Sequence, residues 1–183
     1  MADVSVRPAG ADDAGEIGRL QHQTWQLGYR SVLPEPVLTA LDPEQIAASW
    51  HQAITAPPSP AHRVLVAQEG AALVGFVAFG PDADRQPEDP APDGTAAISA
   101  LLVEPRWGRR GHGSRLLAAV TDLAGEQGVT RLVAWVPAAD TASLEFYRGA
   151  GWAADGLQRS LDTGAGTVPE LRLHTALAGP GPA

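Results

Sequence analysis

The stretch Val103–Val120, VEPRWGRRGHGSRLLAAV, joins an apolar, strand-like run to an amphipathic helix, and the join holds three glycines, three arginines and one histidine. Upstream, AAISALLVEP (96–105) reads as an apolar strand ended by Pro105. Downstream, Leu116, Leu117, Val120, Leu123 and Ala124 share one helical face, and Gly128 is a natural stop. TRLVAWVP (130–137) follows as a second apolar strand, closed by Pro137. Ala97–Pro137 is therefore a strand–helix–strand unit of the length a right-handed parallel crossover requires. The glycine-rich turn opens the helix of that unit, where first-turn amides and the helix dipole attract an anion. Gly108, Gly111 and Gly113 let the backbone come close, while Arg109, Arg110 and His112 offer charge or hydrogen bonds. GRRGHG is not the G-x-G-x-x-G of a dinucleotide fold, and without lysine it is not a Walker loop. On these residues alone, an anion cradle and a tight turn with solvated arginines are equally good accounts.

Outward from this unit, VSVRPA predicts a short strand ending at Pro8. Asp12 and Asp13 open a helix whose Ala14, Ile17, Leu20 and Leu27 are spaced for one buried face, and Pro34 and Pro36 break it. A second helix is expected over 43–54, then a hairpin in RVLVAQEGAALVGFVAFG about the Glu69-Gly70 turn. PDADRQPEDPAPDG (81–94), with four prolines and five acidic residues, has nothing to bury and predicts a long mobile loop. Asp140 caps a short helix running through Tyr147, which Gly149 and Gly151 end. LQRSLD and VPELRLHTAL alternate about a TGAG turn and predict a closing antiparallel hairpin. The expectation is one α/β domain over 1–177, built on a mixed sheet, with a frayed tail over 178–183.

Composition narrows the chemistry. The chain has 183 residues, no cysteine, 44% hydrophobic content and a formal net charge of −8. Disulfides, thiolate nucleophiles and cysteine metal sites are excluded. Every basic residue besides histidine is an arginine, so Schiff-base chemistry, which needs lysine, is excluded too. The acidic balance argues against a nucleic-acid binder, and it favours a cationic partner, such as an amine, a polyamine, an aminoglycoside or a protein N-terminus. His22, His51, His62 and His174 lack metal-ligand spacing, and no metal site is expected. No apolar run has the length of a membrane span, and the opening residues lack a basic region followed by an apolar one. A soluble cytoplasmic protein, monomer or homodimer, is the expectation.

Two motifs in order carry a resemblance. LLVEP (101–105) with GRRGHGS (108–114) resembles the strand, phosphate turn and helix opening of the GNAT superfamily of acetyl-CoA-dependent N-acetyltransferases. DTASLEFYRGAGW (140–152) resembles that family's later Asn-x-x-Ala-x-x-Phe-Tyr-x-x-x-Gly-Phe signature, and VRPAGADDAGEIGRLQHQTWQLGYRSVLPEPVL (6–38) looks like its common opening. Three positions depart: Gly108 stands at the Arg/Gln position, Asp140 replaces Asn, and Ala97 stands where many relatives carry an acid. The resemblance implies a GNAT fold whose parallel central strands splay. It implies that acetyl-CoA rests its pyrophosphate on the loop from Arg109 through Arg110, Gly111, His112 and Gly113 to Ser114, near Asp140. The pantetheine arm would pair with the backbone of Leu101, Leu102 and Val103, and a backbone N–H of Leu102 or Val103 would meet the oxyanion. Tyr147 is implied as the acid that protonates the leaving thiolate, with transfer direct to an amine acceptor. Trp25, Tyr29, Trp50, Trp135 and Glu170 are nominated as the acceptor wall; Glu104, Glu170 or an ordered water chain as the base. A non-catalytic acyl-CoA sensor of the same fold is the alternative.

Overall fold

The computed structural model describes residues 3–84 and 94–177. Seven strands form one sheet in the order β1-β2-β3-β4-β5-β7-β6, comprising β1 (Val4–Pro8), β2 (Arg63–Glu69), β3 (Ala72–Pro81), β4 (Thr95–Val103), β5 (Arg131–Pro137), β6 (Ala153–Asp162) and β7 (Thr167–Ala176). Only β4 and β5 pair in parallel; every other neighbouring pair is antiparallel. The helices are α1 (Ala14–Gly28), α2 (Glu35–Thr39), α3 (Pro43–Thr55), α4 (His112–Glu126) and α5 (Thr141–Gly149).

Strand alternation supplies two apolar faces, each covered by a pair of helices. Leu65, Ala67, Val77, Ile98, Leu132, Ala134 and Leu173 pack with Leu116 and Val120 of α4 and Leu144 and Tyr147 of α5. On the other face, Val66, Phe76 and Leu102 pack with Ile17 and Leu20 of α1 and with Trp50 and Ile54 of α3. Gly18 sets the α1–α3 approach, since a Cβ there would lie 2.8 Å from the Ala47 backbone nitrogen.

The strand–helix–strand unit and both hairpins form as their periodicity requires. Three details differ. Leu27 is 75% exposed. It stands ten residues beyond Ile17, which turns it about 80° off that residue's direction at ~100° per residue, and buried Thr24 takes the last inward position of α1. The prolines that end the α1 segment also start α2, with Pro34 as N-cap and Pro36 in its first turn. α5 runs two residues past Tyr147 before Gly151, at φ 87°, turns the chain. Within the predicted 81–94 loop, residues 85–93 lie outside the described residues, as does the 178–183 tail.

Candidate active site

The opening in the sheet has an identifiable cause. β4 and β5 pair from Thr95↔Arg131 to Ile98↔Ala134, and then the ladder stops. At the same point β4 carries a bulge against β3: consecutive Ala78 and Phe79 oppose Ala100 and Ile98, leaving Ser99 as the extra residue. A bulge bends its strand and sharpens the local twist. Leu101–Val103 therefore veer from β5 while still paired to β3, and their β5-facing edge is left without a ladder.

Two clefts meet at this gap. One, of about 410 Å³, runs along Leu101–Val103 to the phosphate turn and is closed by Ser143 and Phe146 of α5. Its floor has the geometry of an anion cradle. Arg109 sits at φ 62° and Gly111 at φ 82°, the left-handed region that non-glycine residues rarely enter. No side chain caps α4, whose first intrahelical bond is Arg115 N–H to Gly111 C=O, so the His112, Gly113 and Ser114 amides stay available. A Cβ on Gly113 would come within 3.1 Å of the Phe146 ring, so glycine lets α4 and α5 close on each other there.

Side chains of the turn divide between two directions. Arg109 borders the cleft and has no ion pair among the described residues. Arg110 does not line it: its guanidinium lies 3.2 Å from Glu69 and over the Trp107 ring at 4.9 Å. The His112 ring is fully buried with Nε2 2.8 Å from the other Glu69 oxygen. Glu69, at the end of β2, thus ties down two residues of the turn, a role that the Glu-Gly turn signal gave no hint of.

The second cleft, about 350 Å³, lies on the α1 side and is bordered by Trp25, Tyr29, Trp135, Tyr147, Arg159 and Glu170, among others. Arg159, which sequence reasoning took only as strand alternation, donates to Glu170 at 2.6 Å and Asp84 at 2.5 Å while lying 4.5 Å over the Trp135 ring. Trp50 is not part of this wall: its indole N–H donates to Gln21 and its ring packs edge-on against Phe76. Glu104 borders neither cleft and pairs with Arg106.

Tyr29, Leu101, Leu102, Asp140 and Ser143 border both clefts. Asp140 accepts from the Ser143 N–H at 3.0 Å, the Ser143 hydroxyl at 2.7 Å and the Tyr29 hydroxyl at 2.8 Å. Tyr147 is buried against Phe146 and Trp152, and no group among the described residues hydrogen-bonds its hydroxyl. Burial first, and the Asp140 carboxylate second, push the Tyr147 phenol well above its ordinary value; Tyr29 is raised by the same two causes and by its bond to Asp140. These are the only two tyrosines. Near-ultraviolet titration of the native protein is therefore expected to show no tyrosinate at pH ~10, where free phenols are half ionised. The unfolded chain ionises first, so the stability both phenols contribute is complete below pH ~10 and falls as pH rises from there toward the folded values.

A seven-stranded sheet opened between its two parallel strands, with a glycine-built turn and uncapped helix amides at the mouth, has room for an extended ligand and donors for an anionic group. The chain belongs to the acetyltransferase (GNAT) family, whose sequence profile matches residues 25–152. It is similar to YuaI, an uncharacterised N-acetyltransferase of Bacillus subtilis (strain 168), at 27% identity over 146 residues, 79% of this chain and 78% of that one. The fold is shared with YncA of Salmonella typhimurium, solved with its cofactor acetyl-CoA (TM-score 0.68, 18% identity, 98% and 96% of the two chains). It is shared equally with the PaiA N-acetyltransferase of Thermoplasma acidophilum in complex with coenzyme A (TM-score 0.70, 13% identity, 95% and 99%). Among the described residues, no cluster of side chains could hold a metal ion and no helix is long and apolar enough to cross a membrane.

Proposed function

We propose that the protein transfers an acetyl group from acetyl-CoA directly to a primary amine, on a small cationic molecule or a protein N-terminus. One observation carries the reading: the gap between β4 and β5 connects an uncapped, glycine-built helix N-terminus to the cleft in which Tyr147 stands. Acetyl-CoA supplies the activated thioester. The amides of Arg109 to Ser114 would hold its pyrophosphate, with Arg109 as the free cation beside them. Arg110 and His112 would act through Glu69 on the shape of the loop. The unpaired edge of Leu101–Val103 would take the pantetheine arm as an added strand, and a backbone N–H of Leu102 or Val103 would meet the oxyanion.

The acceptor nitrogen bonds to the thioester carbonyl carbon, the carbon–sulfur bond breaks, and the sulfur leaves as thiol. Tyr147 would assist that departure. An unperturbed phenol near 10 is a weaker acid than a thiol near 8.5, so full transfer to the thiolate is uphill by about 1.5 units before burial widens the gap. Tyr147 therefore donates a hydrogen bond as the bond stretches and releases its proton only as the acylated nitrogen returns one. Among the described residues, the acceptor cleft is bordered by Asp84, Asp140 and Glu170 and by Arg159, whose guanidinium is engaged by two of the three carboxylates. That balance suits a cationic acceptor. A single domain over 1–177 working in the cytoplasm completes the proposal. The test is amine-dependent release of CoA thiol from acetyl-CoA; binding of acetyl-CoA with no thiol released on adding primary amines speaks for the sensor alternative.

A further inference from the structure

The acceptor reaches the enzyme as an ammonium ion and must lose a proton before its nitrogen can attack. Three carboxylates border the acceptor cleft: Asp84, Asp140 and Glu170. Two of them share Arg159, so a proton arriving there would break a charge-assisted pair. Asp140 differs. Among the described residues it has no cationic partner, and its oxygens meet only the Ser143 amide, the Ser143 hydroxyl and the Tyr29 hydroxyl. It also borders both clefts, as Tyr29 does, so the pair stands where the amine must meet the thioester.

Resting on the acetyltransferase reading, we infer that Asp140 and Tyr29 together form the general base. The acceptor ammonium gives a proton to the Tyr29 oxygen while the Tyr29 proton passes to Asp140 Oδ2 across the 2.8 Å hydrogen bond. The phenol is regenerated, the amine is neutral, and Asp140 later releases its proton to solvent. In water the ammonium holds its proton more tightly than a carboxylate, about 10.4 against 3.9. The transfer is therefore uphill, and the attack of the neutral amine on the thioester that follows draws it forward. The groups against Asp140 are Tyr29, which caps the C-terminus of α1, and Ser143 and Tyr147 from α5, all neutral while the phenols stay protonated. An ionised Asp140 has no proton to donate, so its place in the cofactor cleft is better explained as an acceptor of protons than as a hydrogen-bond donor to cosubstrate.

The discriminating substitution is Asp140→Asn. Asparagine keeps an oxygen for the Ser143 amide and hence the cap of α5, but it is no proton acceptor. It is expected to lower kcat by about 100-fold or more and to shift the acid limb of the kcat–pH profile, with acetyl-CoA affinity kept or tightened. Tyr29→Phe should move the same limb without touching the cap, which keeps the inference open to test if Asp140→Asn folds poorly. The assay is CoA-thiol release with a panel of spermidine, tyramine and a peptide bearing a free N-terminus, alongside calorimetric titration with acetyl-CoA. Wild-type turnover with an unchanged rate and profile in Asp140→Asn overturns the inference alone. Failure of the wild type to bind acetyl-CoA, or binding without acetylation of any panel amine, overturns the underlying reading and the inference together.

Discussion

Replacing Tyr147 with phenylalanine is expected to lower kcat by about two orders of magnitude while leaving acetyl-CoA affinity within about twofold, the size expected for loss of a positioned proton donor. The split follows from where the residue stands. Its ring is packed between Phe146 and Trp152, contacts that phenylalanine reproduces, and the residue borders the second cleft rather than the one at the glycine turn. Removing an oxygen that accepts and donates nothing among the described residues leaves no buried polar group unpaired. Folding stability should hold, so a slow enzyme with a normal Tm reports chemistry. Pre-steady-state mixing of enzyme, acetyl-CoA and acceptor separates the step from product release. An unchanged rate of the chemical step would remove Tyr147 from the mechanism.

The second large effect concerns stability. Gly18→Ala is expected to destabilise the protein by about 2–3 kcal/mol, the usual cost of overpacking, and to lower Tm by about 4–12 °C in a domain of this size. Helix propensity alone predicts the opposite sign, since alanine is favoured over glycine by about 1 kcal/mol in a helix. The decision falls to the contact: the new methyl would meet the nitrogen and Cα of Ala47 at 2.8 and 2.9 Å, and backbone cannot step aside as a side-chain tip can. Gly15→Ala, in the same helix with nothing within 4 Å, is the control and should be neutral or mildly stabilising. Because α1 and its C-cap carry Trp25 and Tyr29 to the second cleft, where the amine is proposed to bind, any Gly18→Ala protein that folds should also show a raised KM for the amine. Equal Tm values for the two variants would contradict this account of the α1–α3 contact.

Much of the architecture was legible because it rests on periodicity and on residues with one physical use. The apolar runs around Ile98 and Val133 and the 3.6-residue spacing from Leu116 to Ala124 leave few arrangements other than a crossover about a parallel pair. Gly111 marks the left-handed entry to α4. What the chain did not disclose locally depends on side chains brought together from afar. Glu69 lies 43 positions from His112, and Asp84 lies 75 from Arg159. Arg109 and Arg110 look alike in GRRGHG, yet the turn's backbone sends one to the cleft and the other to Glu69 and Trp107. The β4 bulge that opens the sheet leaves no mark in composition, since Ser99 sits in an otherwise ordinary apolar strand. Tryptophans divide for the same reason: Trp135 borders the second cleft and Trp50 packs on the core, although both are half-buried aromatics.

Gly108 stands where a longer polar side chain would be expected to open the phosphate motif, and the turn is completed instead by Arg109 in a left-handed conformation. Whether that turn still holds a pyrophosphate is the point on which the whole functional account depends. Calorimetric titration of the purified protein with acetyl-CoA, CoA, ATP and NAD addresses it directly. The account predicts micromolar binding of acetyl-CoA and CoA and none of ATP or NAD. Absence of CoA binding, or equal affinity for all four, would contradict it.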